Sequence, residues 1–274
     1  MFCKMLWHDM KEGSLRTKRA WAIPALLFSV VAFRMLHNKN GVPGYTFGSV
    51  LFQVFGGVKY FPPETGRFQF PTLWVLIYCL SCFLTSVYPL QDVLGIGGQL
   101  MVRTGTRRRW WSSKILWIAL QTGIFFLIGY GVLLLGCLIF GIPIALSVDS
   151  DFLTAFFEVD VPAPEPILRA PALFLGLPIL FSVCLNLFQS FLSLMMPTVV
   201  AYGVAMVPLI GAGLSTEPIW IGNYAMAIRY AHVDQGGIDA TGGLPTFLIM
   251  GAALCVVSVW LFQRYDIMPR RIDD

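Results

Sequence analysis

The sequence predicts an all-α polytopic membrane protein of six transmembrane helices with both termini in the cytoplasm, and three observations carry this. Hydrophobic residues make up 57% of the 274 positions and charged residues 12%, with a mean hydropathy of +0.72, where soluble domains hold roughly 25% charged residues. The apolar residues form long unbroken runs rather than alternating, and a lipid-exposed backbone must satisfy its own hydrogen bonds, so helices are favoured over a barrel. Lys and Arg are distributed unevenly among the polar connections, which reports orientation.

Residues 1–19 form the first unit. Phe2, Leu6 and Met10 recur at helical spacing with Met5 beside them, while Lys4, His8, Lys11 and Glu12 lie elsewhere around the turn. This is a weakly amphipathic helix suited to the membrane interface; a frayed basic tail is the alternative. Residues 20–263 form the membrane domain and 264–274 a cytoplasmic tail. Trp21 to Leu36 is the first span, with Arg34 placed to snorkel at its far end. Its long charged leader, without a small-residue cleavage site after the run, argues for a retained span over a signal peptide.

His37 to Gln69 reads as an external loop with a possible dipping helix at Val50 to Phe55, and Phe70 to Leu90 as the second span. Ile115 to Ser147 is charge-free and about 50 Å long as helix, which predicts one long or broken span. Gly129, Gly131, Gly136, Gly141 and Pro143 permit close packing or a break near its outer end. Val148 to Arg169 is acidic and carries Pro162, Pro164 and Pro166, which predicts a solvated loop. Ala170 to Leu214, about 67 Å as helix, holds two spans with a turn expected around Asn186 to Ser193. Ser215 to Gly243 predicts a partly membrane-dipping loop with Trp220, Tyr224 and Tyr230 at the interface, and Leu244 to Phe262 is the last span.

With six spans, thirteen of the nineteen Lys and Arg fall on one side: Lys4, Lys11, Arg16, Lys18, Arg19, five cations in Gln91 to Lys114, and Arg264, Arg270 and Arg271. The positive-inside rule puts that side in the cytoplasm. In this topology no ionisable residue lies deep in a span, so the usual equipment of ion-coupled carriers is missing. The chain has no GxxxxGK[ST] phosphate loop, so uphill transport would draw its energy from another subunit. His8, His37 and His232 fall on different segments, and the spans offer serines without an evident base, which argues against catalysis. The six cysteines are scattered, and Cys79-Leu-Ser-Cys82 lies mid-span without a second pair or a nearby His, so they read as packing residues.

The organising stretch is Gln91 to Lys114, where Arg103, Arg107, Arg108, Arg109 and Lys114 interrupt the apolar middle and are expected to face something wet. It contains Gly97-Gly98-Gln99-Leu100-Met101-Val102-Arg103-Thr104-Gly105-Thr106-Arg107, then Lys114-Ile115-Leu116 at the opening of the third span. This stretch, with the basic amphipathic N-terminal segment, the six-span layout and the apolar external loop before the sixth span, resembles the ABC-2 type permeases, the membrane subunits of ATP-binding-cassette exporters. Gln99 stands where that family often has Glu, and Gly105 where Pro is common.

The resemblance implies that residues 91–114 form a cytoplasmic coupling loop docking on a separate ATP-binding-cassette ATPase through Gln99, Arg103, Thr104, Arg107, Arg108 and Arg109, and that the N-terminal segment is an elbow helix. Trp110 and Trp111 would hold the loop at headgroup depth. The competing reading of the cations is topology and binding of anionic lipid, and the two roles are compatible. The resemblance further implies no cofactor in this chain, ATP and Mg on the partner subunit, a second permease in a homo- or heterodimer, no nucleic acid, and a multi-pass place in a bacterial plasma membrane. The cargo would be apolar or amphipathic, a peptide, lipid or drug, with Ser81, Thr85, Thr198 and Tyr202 as candidate path residues. The rival is a non-transporting anchor or assembly subunit.

Overall fold

The computed structural model describes residues 2–17, 20–37, 44–59, 67–86, 88–89, 92, 98, 101, 106–159, 171–217, 219–231, 233–234 and 237–264. These residues are helical, without β-strands beyond one isolated bridge between Tyr230 and Ile238. Three helices are long and apolar enough to cross a membrane: within α5 (Arg107–Ile139), Leu175–Leu192 of α7 (Pro171–Leu192), and α9 (Gly243–Arg264). Three shorter apolar helices accompany them, α2 (Ala22–His37), α4 (Thr72–Ser86) and α8 (Thr198–Leu214). The outward faces carry Leu26, Val30 and Phe33 on α2 and Leu248, Ile249 and Val256 on α9, all exposed, as expected where hydrocarbon is the solvent.

The hub of the bundle is the pair α5 and α7. Helix α5 packs against α2, α7, α9 and the N-terminal helix α1 (Phe2–Thr17), and α7 packs against α4, α5, α8 and α9. Two of the glycines expected to allow close packing do so. A Cβ at Gly129 would lie 2.6 Å from the Phe28 ring and one at Gly136 would lie 2.8 Å from Leu36, whereas Gly131 and Gly141 face open space. Helix α5 stops where predicted. Gly141 takes a φ of 64°, its N–H donates to Leu138 O and that of Ile142 to Cys137 O, the paired bonds of a Schellman cap.

The dipping helix exists as α3 (Phe47–Phe55), and it dips into the protein. Val50, Leu51 and Phe52 are fully buried, and α3 packs on α5 and α7. Its start is held by a Thr46–Ser49 capping box and by donation from the Phe47 and Gly48 N–H groups to Pro143 O and Ala145 O. These bonds satisfy donors that a buried helix N-terminus would otherwise strand.

Two expectations are corrected and two are refined. The acidic segment is not a loop throughout: α6 (Ser150–Phe157) starts on an Asp149 cap and buries Phe152 and Leu153, while the three prolines lie outside the described residues. The turn expected around Asn186 to Ser193 lies at Ser193–Pro197, between α7 and α8, because α7 runs on through Asn186, Gln189 and Ser190 to Leu192. Those polar side chains look like turn signals but point into the bundle, and Pro197, at the cap of α8, is where the chain breaks.

The segment after α8 packs onto the bundle, with Trp220 and Tyr224 half-exposed. It folds through short 3-10 turns at Ile221–Ala225 and Ala227–Arg229 and buries Tyr230, whose hydroxyl donates to Tyr224 O at 2.8 Å. Trp220 packs so closely on α8 that a Cβ at Gly211 would meet its ring at 2.2 Å. Finally, α1 packs on the bundle through Met5, Asp9 and Gly13, which are buried, with Leu6 and Met10 half-buried beside them. Gly13 sits against Trp117, where a Cβ would come within 2.5 Å of the indole nitrogen, while Trp7 is 73% exposed.

Candidate functional site

The N-terminal part of α5 begins with a solvent-facing turn and within two turns becomes the most enclosed charged site among the described residues. Arg107, Arg108 and Arg109 are exposed. Arg107 also donates to Gln263 O at 3.4 Å, tying the start of α5 to the end of α9. One turn later the helix turns inward. Trp110 and Trp111 are 3% and 1% exposed and stack on Phe262, with ring centroids 5.2 and 4.7 Å away. They sit inside the protein with Met5, Met101 and Leu194, not against headgroups, because α1 and α9 close over them.

Lys114 is fully buried, contrary to the expectation that all five cations face water. Its ammonium donates to the carboxylates of Asp9 on α1 and Asp92 in the preceding connection, both nearly fully buried. Tyr88 donates its hydroxyl to Asp9 at 3.1 Å, and Ser113 donates to the other oxygen of the same carboxylate at 2.5 Å. The rings of Tyr88 and Trp110 each lie 4.6 Å from the ammonium, close enough for cation–π attraction. An ion in a low-dielectric interior is tolerated only when paired and hydrogen-bonded, and four segments supply those partners: α1, the end of the α4 region, the connection before α5, and α5 itself.

Two carboxylates share one ammonium here, so the arrangement works as an ion-locked junction. It joins the N-terminal helix and the basic connection to the hub helix. Asp9 and Asp92 escaped the sequence reading. The available signal was that Asp92 is the sole acid of the otherwise cationic Gln91 to Lys114 stretch, and an acid in a basic connection invites the question of which cation it serves.

A second enclosed cation stands at the other end of the bundle. Arg229 is 2% exposed and donates to Ala212 O, Ser215 O, Val58 O and Asn223 Oδ1. Its partners include carbonyls at the end of α8, where a cation complements the helix dipole. Asn223 in turn donates to Ser215 O and Glu217 O.

The remaining expected site residues are placed as follows. Gln99, Arg103 and Thr104 lie outside the described residues. Ser81 and Thr85 are buried in the core of the bundle at 1% and 3%. Ser81 shares a hydrogen bond with Ser182 at 2.9 Å, while Thr85 donates to Ser81 O and Cys82 O. Tyr202 is half-buried and donates to Cys79 O at 3.1 Å, and Thr198 is half-exposed at the start of α8. Ser81 and Thr85 therefore share one seam, with Tyr202 on a neighbouring helix and Thr198 a turn away. Among the described residues no cluster of His, Cys, Asp and Glu is arranged to hold a metal ion.

No family model, no curated protein and no solved structure matches this chain.

Proposed function

We propose that this chain is the permease subunit of an ATP-driven exporter, coupled through its basic connection to a separate cytosolic ATPase and paired with a second permease. The observation that carries the reading is mechanical. The exposed Arg107 to Arg109 turn is the beginning of α5, the same unbroken 33-residue helix that touches α1, α2, α3, α7 and α9. A push on that turn is delivered directly to the hub of the bundle.

The ion-locked junction adds to this. Asp9 and Asp92 hold α1 and the connection to Lys114, so elbow, connection and hub helix move together in the proposed cycle. In this reading the six apolar helices are six spans, both termini are cytoplasmic, and the protein sits in a bacterial plasma membrane. ATP and Mg belong to the partner. An apolar or amphipathic cargo, such as a peptide, lipid or drug, suits a bundle whose outward faces are uncharged.

Co-purification of the tagged chain with an ATP-binding subunit is the first test. Replacing Arg107, Arg108 and Arg109 together by Ala is expected to leave the melting temperature within about 1 °C, since exposed charges contribute little to stability, while lowering the ATPase activity of the assembled complex at least several-fold. Isolation without any ATPase partner, or an Ala variant with unchanged ATPase activity, overturns the coupling and favours an anchoring subunit.

A further inference from the structure

The core of the bundle contains a neutral polar seam between α4, α5 and α7, in which Ser81, one of the candidate path residues, meets polar groups of α5 and α7. Ser182, Asn186 and Gln189 follow one another on one face of α7 at spacings of four and three residues, and all three are fully buried. Opposite them stand Ser81 of α4 and Thr122 of α5, 1% and 0% exposed. The Asn186 amide nitrogen donates to Ser81 Oγ at 3.1 Å and to Thr122 Oγ1 at 2.7 Å.

The direction of that amide is fixed by its neighbours. Thr122 spends its own proton on Ile118 O at 2.8 Å, so its oxygen accepts from Asn186. The Asn186 Oδ1 is then turned away from both hydroxyls and has no protein partner, and neither amide atom of Gln189 nor the Ser190 hydroxyl has one. Unpaired amides in a dry apolar interior are strongly unfavourable.

We infer that Asn186 and Gln189 form a binding site for ordered water in the middle of the bundle. The chemistry of the unpartnered atoms selects the ligand. Asn186 Oδ1 and Gln189 Oε1 need a donor, and Gln189 Nε2 needs an acceptor. A bare cation cannot accept and a halide cannot donate, whereas water does both. The lining groups named here are Ser, Thr, Asn and Gln, with no charge to attract an ion. Size agrees with a small ligand, because the Ser81–Ser182 and Asn186–Thr122 bonds hold the three helices in direct contact. The site stands whether the chain exports a cargo or anchors a complex.

The test uses the full chain in lipid nanodiscs, with water itself as the probe. A structure at a resolution that shows ordered solvent is expected to reveal a single-atom peak within hydrogen-bonding distance of Asn186 Oδ1 and of a Gln189 amide atom. An empty site, a Gln189 amide bonded instead to protein, or density larger than water overturns the inference.

Gln189→Met gives a second readout, since it nearly conserves volume and removes both amide atoms. If water pairs the amide, the variant loses that bonding and melts about 2–4 °C lower. If the amide is dry and orphaned, removing it relieves a penalty, and an unchanged or higher melting temperature overturns the inference.

Discussion

Lys114→Met is the substitution with the largest expected effect on this protein, and its size follows from the charge arrangement around it. Lys114 is one ammonium between the carboxylates of Asp9 and Asp92, all three nearly or fully buried. At a separation of about 3 Å and an effective dielectric of about 20, each pair gains about 5–6 kcal/mol of Coulomb energy, and burial costs several kcal/mol per ion. Removing the lysine strands two like charges side by side, so the loss is about 3–5 kcal/mol or more. For a chain of this size that lowers melting by roughly 6–20 °C.

Asp9→Asn behaves differently. It leaves one ammonium facing one carboxylate, and its amide oxygen still accepts a hydrogen bond, so the cost is about 1–2 kcal/mol. Combining Lys114→Met with Asp9→Asn and Asp92→Asn leaves no stranded charge and is expected to recover much of the lysine loss. The assay is thermal unfolding of purified protein in one detergent, with limited proteolysis within α1 as a local probe. The reasoning is refuted if Lys114→Met melts no lower than Asp9→Asn, or if neutralising both acids fails to rescue it.

Three other outcomes are expected. Arg229→Ala removes a donor to four acceptors at the end of α8, and is expected to cost about 2–4 kcal/mol, with proteolysis of the segment after α8 rising before the bundle melts. Gly129→Ala forces a Cβ into Phe28 while Gly131→Ala meets nothing, so thermal melts should show the first destabilised by about 1–3 kcal/mol and the second unchanged or stabilised by up to about 1 kcal/mol through helix propensity. Burial pushes the phenols of Tyr45 and Tyr230 above the ordinary tyrosine range. Their neutral forms are favoured by folding, so their contribution is intact below about pH 10, where unfolded tyrosines ionise, and is lost as pH rises from there through the folded values. Tyr230→Phe should flatten that alkaline decline in denaturation measured against pH.

Some of this architecture was legible because it depends on local composition. The apolar runs locate α2, α4, α5, α7, α8 and α9, since a residue's preference for hydrocarbon needs no knowledge of its neighbours. The C-terminal end of α5 was legible for a similar reason: Gly141 and Pro143 are a local stop signal, and the helix stops there with a left-handed Gly141. Polar residues were read less well. Asn186 to Ser193 resembled a turn by type, yet a helical bundle tolerates amides and hydroxyls mid-helix when other helices or water satisfy them. The packed face of α1 is not legible from apolar spacing, because it includes an aspartate and a glycine as well as Met5.

The sequence by itself determined that the chain is helical, apolar and asymmetric in charge, since those properties are sums over residues. Tertiary structure decided which charges are wet. Lys114 and Arg107 belong to one cationic stretch and lie on nearly the same side of α5, two turns apart, so it is position along the helix that leaves Arg107 exposed at its start and Lys114 enclosed deeper in. The partners that make enclosure tolerable, Asp9 and Asp92, lie 105 and 22 residues away. An ion pair stabilises only at contact distance in a site shielded from water, and that distance is set by how α1 and the connection before α5 pack on the hub helix, not by any spacing along the chain.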